Sequence, residues 1–371
     1  MLQDSIKQTP QDNLQEARRI MEICNACRYC ESLCPVFPEI TRFRTFSDHD
    51  LNYLANLCHN CKGCYYGCQY SPPHEFAINV PKTLAEVRVD SYARYAFPQV
   101  LGKLFAKNGT FVSIMIALCI ALIFVVGSIF STTGSFFATH SGEGSFYQVI
   151  PSFLMIGVPM IIGVYVLAAF YFGFQQFWLE SGNEIGELKC GALWKSAFGD
   201  IMTLRHLDGG EHGHGCTHMD DRFSHSRRWF HQATMFGFFF AIISTSIAAI
   251  DEHILGLAAP YGFTSLPVIF GTLGGVMMVI GTIGLAAIKT KADPAPMAKQ
   301  LLGMDYSFIV LLFLVSLSGL LLLALRNTAL MPLTLCIHLG FVLAFFVTMP
   351  YSKFVHFLYR LGALLKFAKY K

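Results

Sequence analysis

The chain changes character near residue 100. Residues 1–100 mix polar and apolar positions, and Leu51, Leu54 and Leu57 recur at helical steps within 48–57. From Lys103 onward long apolar runs take over. A helix needs about 20 apolar residues to cross a hydrocarbon core of about 30 Å. Six runs qualify: 111–130, 149–172, 230–250, 265–288, 306–325 and 333–349. The second contains Pro151 and Pro159, and the fourth contains Pro267 and five glycines. Membrane helices tolerate both where neighbours satisfy the backbone. The pattern predicts a mainly α chain. A helical domain over 1–100 precedes a six-helix transmembrane bundle over 101–371, interrupted by a loop over 173–229. The tail 351–371 alternates apolar and basic residues at helical spacing, so it either continues the sixth helix or lies along the membrane surface.

Composition agrees with lipid exposure. Hydrophobic residues make up 54% of the 371 and charged residues 14%, against about 25% charged in a soluble globular chain. The net charge of +3 is too small to suggest a nucleic-acid partner. Its placement says more. Connections 131–148 and 251–264 hold no Lys or Arg, and the turn after Leu325 holds only Arg326. By contrast, 173–229 holds Lys189, Lys195, Arg205, Arg222, Arg227 and Arg228, and 289–305 holds Lys289, Lys291 and Lys299. The tail adds Lys353, Arg360, Lys366, Lys369 and Lys371. Basic residues mark the cytoplasmic side, which predicts both termini inside. Residues 1–20 are polar and charged, without the apolar core of a signal peptide. The cysteine-rich part is therefore expected in the cytosol, where clustered cysteines point to metal rather than disulfides.

Eight of the twelve cysteines lie between Cys24 and Cys68. Cys24-x2-Cys27-x2-Cys30-x3-Cys34-Pro35 is the bacterial ferredoxin run, and Cys58-x2-Cys61-x2-Cys64-x3-Cys68 repeats it with Gln69 in place of proline. Three thiolates two residues apart wrap one corner of a cubane, and the fourth, beyond a turn, reaches the other cluster. This assigns Cys24, Cys27, Cys30 and Cys68 to one [4Fe–4S] centre, and Cys34, Cys58, Cys61 and Cys64 to the other. A [3Fe–4S] centre stays open for one of them, because the second motif lacks its proline. Structural zinc, with four ligands usually in two pairs, fits the doubled motif poorly. His59, inside the second motif, reads as a surface residue. The helical stretch between the motifs resembles the helical ferredoxin domains of fumarate reductase and heterodisulfide reductase subunits.

Ionisable residues at membrane depth are costly and usually functional. His231, His253, His338 and His356 stand at or near predicted helix ends. His338 and His356 are 18 residues apart, five full turns and about 27 Å if the helix stays regular. Pro350 lies between them and removes a backbone bond to Phe346. His231 and His253 are 22 apart, about 40° out of register and roughly 33 Å in rise. With helix three running outward and helix six inward, His231 meets His356 on the cytoplasmic side and His253 meets His338 on the outer side. One or two b-type haems are therefore expected. The simpler alternative for each histidine is a helix end at the headgroups. His338 followed 18 residues later by His356, at the end of Met349-Pro350-Tyr351-Ser352-Lys353-Phe354-Val355-His356, resembles the last helix of nitrate reductase gamma subunits. In that family both corresponding histidines ligate haem, but the histidines of the partner helix are more closely spaced than His231 and His253.

Between the second and third spans, His212, His214, Cys216 and His218 lie in a glycine-rich stretch. They read either as a metal site or, preferably, as a loop with incidental histidines. Arg227, Arg228 and Trp229 read as an interfacial anchor.

The paired cysteine motifs, Leu207-Asp208-Gly209-Gly210 with Gly215-Cys216, and Arg227-Arg228-Trp229-Phe230-His231 together resemble the tricarballylate-utilisation (citrate-utilisation) protein B family over nearly the full length. The resemblance implies a protein of the bacterial inner membrane that re-oxidises the reduced flavin of a tricarballylate dehydrogenase-like, FAD-dependent partner. It also implies that the electrons go to membrane quinone. The residues are consistent with a carrier that has no catalytic residue of its own. No G-x-G-x-x-G dinucleotide motif and no G-x-S-x-G elbow is present, so the donor must be external. Two other readings stay open: a membrane subunit carrying electrons from quinol to a soluble acceptor, and a non-enzymatic redox sensor.

Overall fold

The computed structural model of the chain describes residues 9–131, 136, 138–208, 215–217 and 219–371. Among these residues there is no strand; the architecture is helical. Five helices form the cysteine domain: α1 (Pro10–Cys27), α2 (Val36–Ile40), α3 (Asp48–Leu57), α4 (Gly63–Tyr66) and α5 (Val80–Arg94). Local chemistry sets their ends. Thr9 and Ser47 cap α1 and α3 through reciprocal bonds with Asp12 and Asp50. Pro10 and Pro81 occupy first-turn positions, where a missing N–H costs nothing. α3 covers the stretch that the Leu51–Leu54–Leu57 steps predict, and all three leucines are buried.

Among the described residues, six helices are long and apolar enough to cross a membrane, which makes the chain a multi-pass membrane protein. They are α6 (Asn108–Phe130), α7 (Ser152–Glu180), α9 (Ser226–His253), α10 (Leu266–Thr290), α11 (Leu302–Leu325) and α12 (Met331–Thr348). α6, α11 and α12 pack against one another, α9 and α10 pair beside α11, and α7 leans on α12. The glycines of α10 have a packing reason. A Cβ on Gly274 would lie 2.7 Å from the Gly237 carbonyl oxygen, and one on Gly281 would lie 2.7 Å from that of Phe230. Small residues let the two backbones approach closely, the usual basis of helix association in lipid.

The connections sort into two faces. On the face away from the cysteine domain, Gly144 donates to the Ala259 carbonyl and Arg326 to the Tyr261 carbonyl. On the other face, Tyr66 donates to Asp293 at 2.6 Å, Thr217 to Cys61, and the tail packs on α3. The segments rich in Lys and Arg all lie on the cysteine-domain face.

The tail is where the structure departs most from expectation. α12 stops at Thr348, and two single 3-10 turns follow, separated by extended Ser352 (ψ 179°). A separate helix, α13 (His356–Ala368), then turns into the protein and packs on α3, α7 and the connecting helix α8 (Gly191–Thr203). Ala363, Leu364 and Leu365 are buried, in one core with Leu54, Leu57 and Trp178. α13 neither continues the sixth span nor lies along a membrane surface. Its apolar face is used up by the cysteine domain, whose core therefore crosses the boundary expected near residue 100.

Candidate metal centres

α1 carries Cys24 and Cys27 in its last turn, three residues apart and thus on one face. Arg28 then takes a left-handed conformation (φ 56°), which reverses the chain towards Cys30. The second motif repeats this device: Lys62, also just after the second cysteine, has φ 69°. A left-handed residue other than glycine costs roughly 1–2 kcal/mol. Its recurrence at the same motif position in both runs shows that the backbone geometry is built into the motif.

The cysteines gather around two cavities. Cys24, Cys27, Cys30 and Cys68 line one, and Cys34, Cys58, Cys61 and Cys64 line the other. In each, the fourth sulfur comes from the opposite motif. Burial and the neighbouring thiols Cys30, Cys68 and Cys27 push Cys24 up to about 12. Burial pushes Cys61 to about the same value, helped by Cys216 and Cys58 and opposed by the Gly63 amide and Arg227. Cys34 and Cys64 are also held well above the usual thiol range, burial being the main cause. Clustered, largely desolvated thiols such as these take the thiolate form only around a cationic centre. Sulfurs spread over a cavity wall suit a core with separate corners, so the donor set fits iron–sulfur clusters. The two cradles adjoin: Cys30 of the first acts on Cys64 of the second.

His59 is buried, at 7% exposure, not on the surface as its sequence position suggests. Its Nδ1 lies 2.8 Å from the Leu57 carbonyl oxygen, and its ring lies 5.4 Å from that of His206 on the wall of the second cavity. Of the glycine-rich stretch, His212, His214 and His218 lie outside the described residues. Cys216 is buried and donates to the Leu207 carbonyl, and Thr217 bonds to Cys61. This strand-like piece, bridged to Ser224, closes over the second cradle.

Beneath the second cradle, His231 of α9 and His356 of α13 face each other with ring centroids 6.2 Å apart. Both imidazoles would be able to hold one metal at this spacing. His356 Nδ1 lies 2.7 Å from the Lys353 carbonyl oxygen, so it donates and leaves Nε2 as the lone-pair nitrogen. Nδ1 of His231 is buried without a hydrogen-bond partner. Lys353 is itself held: Asp305 pairs with both Lys353 and Lys289. The pair forms although the regular helix joining His338 to His356 does not exist. The break at 349–355 carries His356 out of the α12 axis and under the cysteine domain.

The other two histidines stand apart. His253, at the far end of α9, is exposed. His338, within α12, shares a 3.0 Å hydrogen bond with Ser318 of α11 and packs against Gly319.

Three arginines tie these parts together. Arg88 of α5 donates to the carbonyls of Ala55 and Cys58, at 2.7 and 2.5 Å. Arg360 donates to Cys58 at 2.8 Å and Asn56 at 3.4 Å. Arg227 donates to Asn60 at 2.5 Å and His59 at 3.3 Å. Arg228 bonds to the Thr203 carbonyl at the end of α8. Arg227 and Arg228 thus grip protein backbone rather than serving as simple headgroup anchors, whereas Trp229 is 68% exposed. Sequence reading overlooked Arg88 and the place of Arg360, though one signal was present: Arg227–His231 and His356–Arg360 are each four residues apart, one helical turn.

Comparison with known proteins places this arrangement in a family. The family model described as citrate utilization protein B matches residues 107–371, and its Fer4-like domain model matches residues 17–94. The chain belongs to the citrate utilization protein B family. A relative described as citrate utilization protein B from Escherichia coli is 43% identical over 356 residues, covering 95% of this chain and 91% of its own length. No solved structure matches. The Fer4-like domain and the two thiol-lined cavities coincide, and they suit a citrate or tricarballylate utilization protein with a role in electron transfer.

Proposed function

We propose that this member of the citrate utilization protein B family takes electrons from a reduced FAD-dependent dehydrogenase, of the tricarballylate dehydrogenase type, and delivers them to membrane quinone. The observation that carries the reading is the order of the parts: the Cys24 cradle, then the Cys58 cradle, then the His231–His356 pair at the head of the membrane helices. Two [4Fe–4S] clusters in the cradles and a b-type haem between the histidines would supply one-electron carriers, dividing a two-electron flavin oxidation.

The protein's own residues supply the rest. Arg28 and Lys62 shape the two cysteine loops, and the fourth sulfur of each cradle comes from the opposite motif. Lys353 orients His356 through its carbonyl, with Asp305 holding Lys353 in place. One haem per chain is favoured, because His253, the residue that would partner His338, is exposed. Charge placement favours the bacterial inner membrane with both termini in the cytoplasm, where a soluble dehydrogenase has access to the cysteine domain.

The test supplies the purified protein, in quinone-containing vesicles, with the reduced dehydrogenase under anaerobic conditions. Quinone reduction that depends on this chain supports the reading. Haem or cluster signals that stay oxidised throughout would sink it.

A further inference from the structure

Among the described residues, the cationic clamp over the second cradle has no buried counterpart over the first. Arg88, Arg227 and Arg360 converge on the carbonyls of residues 55–60. None of the three has a carboxylate partner among the described residues; all their bonds go to backbone oxygen. Three guanidinium groups in a half-buried site repel one another, and Arg88 and Arg227 both act on Arg360. Such a set persists where a compensating anion lies beside it. The thiolates of the second cradle are that anion. Arg88 and Arg360 both donate to the Cys58 carbonyl, and Arg227 donates to the carbonyl of Asn60, next to Cys61. Beside the first cradle, Arg28 donates to the Asn25 carbonyl, but from an exposed position. Arg28, Glu22 and Glu31 beside it are exposed and screened by water.

We propose that Arg88, Arg227 and Arg360 raise the reduction potential of the cluster in the Cys34–Cys58–Cys61–Cys64 cradle above that of its neighbour, and so set the direction of electron flow towards the His231–His356 pair. The proposal rests on the reading that both cradles hold clusters. The physics is that of charge. Reduction adds one negative charge to a cluster, and nearby fixed cations favour the reduced form. One electron would leave the cluster of the Cys24 cradle, the distal centre, which would be oxidised, and arrive at that of the Cys58 cradle, the proximal centre, which would be reduced. No bond breaks and no proton moves. The three arginines are positioning and charge-setting residues, held by backbone carbonyls.

The experiment is a redox titration of the full-length protein in detergent, following the paramagnetic signal of each reduced cluster. The signal that disappears in Cys61→Ser identifies the proximal centre. In Arg360→Gln and Arg227→Gln the proximal midpoint is expected to move to lower potential while the distal midpoint stays put. Arg360→Lys, which keeps the charge but not the two-carbonyl grip, is expected to restore most of the shift. Unchanged midpoints in the Gln variants overturn the proposal, as does an equal movement of both, or a lysine variant that behaves like glutamine. Arg88→Gln is the third independent variant. Loss of the proximal cluster from all three Gln variants also overturns the proposal, because it makes the arginines mere supports. A wild-type protein without iron–sulfur signals defeats the underlying reading instead.

Discussion

His231 and His356 face each other 6.2 Å apart by ring centroid, one at the head of a membrane helix and the other at the head of a helix buried in the cysteine domain. The contact joins the two halves of the molecule at one point. If it holds a b-type haem, His356→Ala and His231→Ala each abolish the haem absorbance band, while His253→Ala leaves it intact. An optical spectrum of each purified variant decides this, and a haem count near one per chain in the wild type accompanies it.

The two cradles draw on separate sets of sulfurs, so their losses are separable. Cys61→Ser is expected to affect the proximal cluster only, either removing it, which leaves about half of the cluster iron and acid-labile sulfide, or converting it to a [3Fe–4S] centre with the loss of one iron. Cys24→Ser is expected to do the same at the distal cradle, with the other signal remaining. Iron content unchanged in either variant would defeat that assignment.

α13 is the structural link most open to a simple stability test. Leu365 is fully buried between α13 and the cysteine domain. Leu365→Ala removes several methylene contacts and leaves a cavity, at a cost of about 2–5 kcal/mol. A clear fall in the thermal midpoint of the detergent-solubilised protein is expected, with α13 and its His356 loosened together. An unchanged midpoint would show that α13 contributes little to holding the domain.

Gly281 bears on His231 through the backbone of its own helix. A Cβ there would lie 2.3 Å from Thr234 Oγ1 and 2.7 Å from the Phe230 carbonyl oxygen. Gly281→Val therefore pushes the head of α9 away from α10. The expected result is a lost or shifted haem band with the iron–sulfur signals retained. A wild-type spectrum would show that the helices have slack the packing does not suggest.

Sidedness can be checked with an existing residue. Cys190 is exposed, on the connection between α7 and α8 that packs on the cysteine-domain face. A membrane-impermeant thiol reagent is expected to label it in inside-out vesicles and not in intact cells, read by peptide mass. The reverse labelling would invert the orientation.

The amino-acid order by itself determined the features that depend on near neighbours. Cysteine spacing specified two ferredoxin runs and which fourth sulfur crosses over. Apolar run length specified six membrane helices, and leucine steps specified α3. Each is a local periodicity or a short-range steric rule, legible without partners. Only the tertiary structure decided what depends on distant segments meeting. It turned α13 inward, because the residues that bury Ala363, Leu364 and Leu365 belong to the first hundred residues and to α7. It buried His59 under a wall that includes His206. It separated His253 from the inner pair by leaving it exposed, and it brought His356 to His231 by breaking the helix that the 18-residue spacing assumed to be regular. Arg88, Arg227 and Arg360 lie far apart in the chain; helical spacing sets Arg227 and Arg360 one turn from His231 and His356, but only the tertiary structure brings all three to one loop.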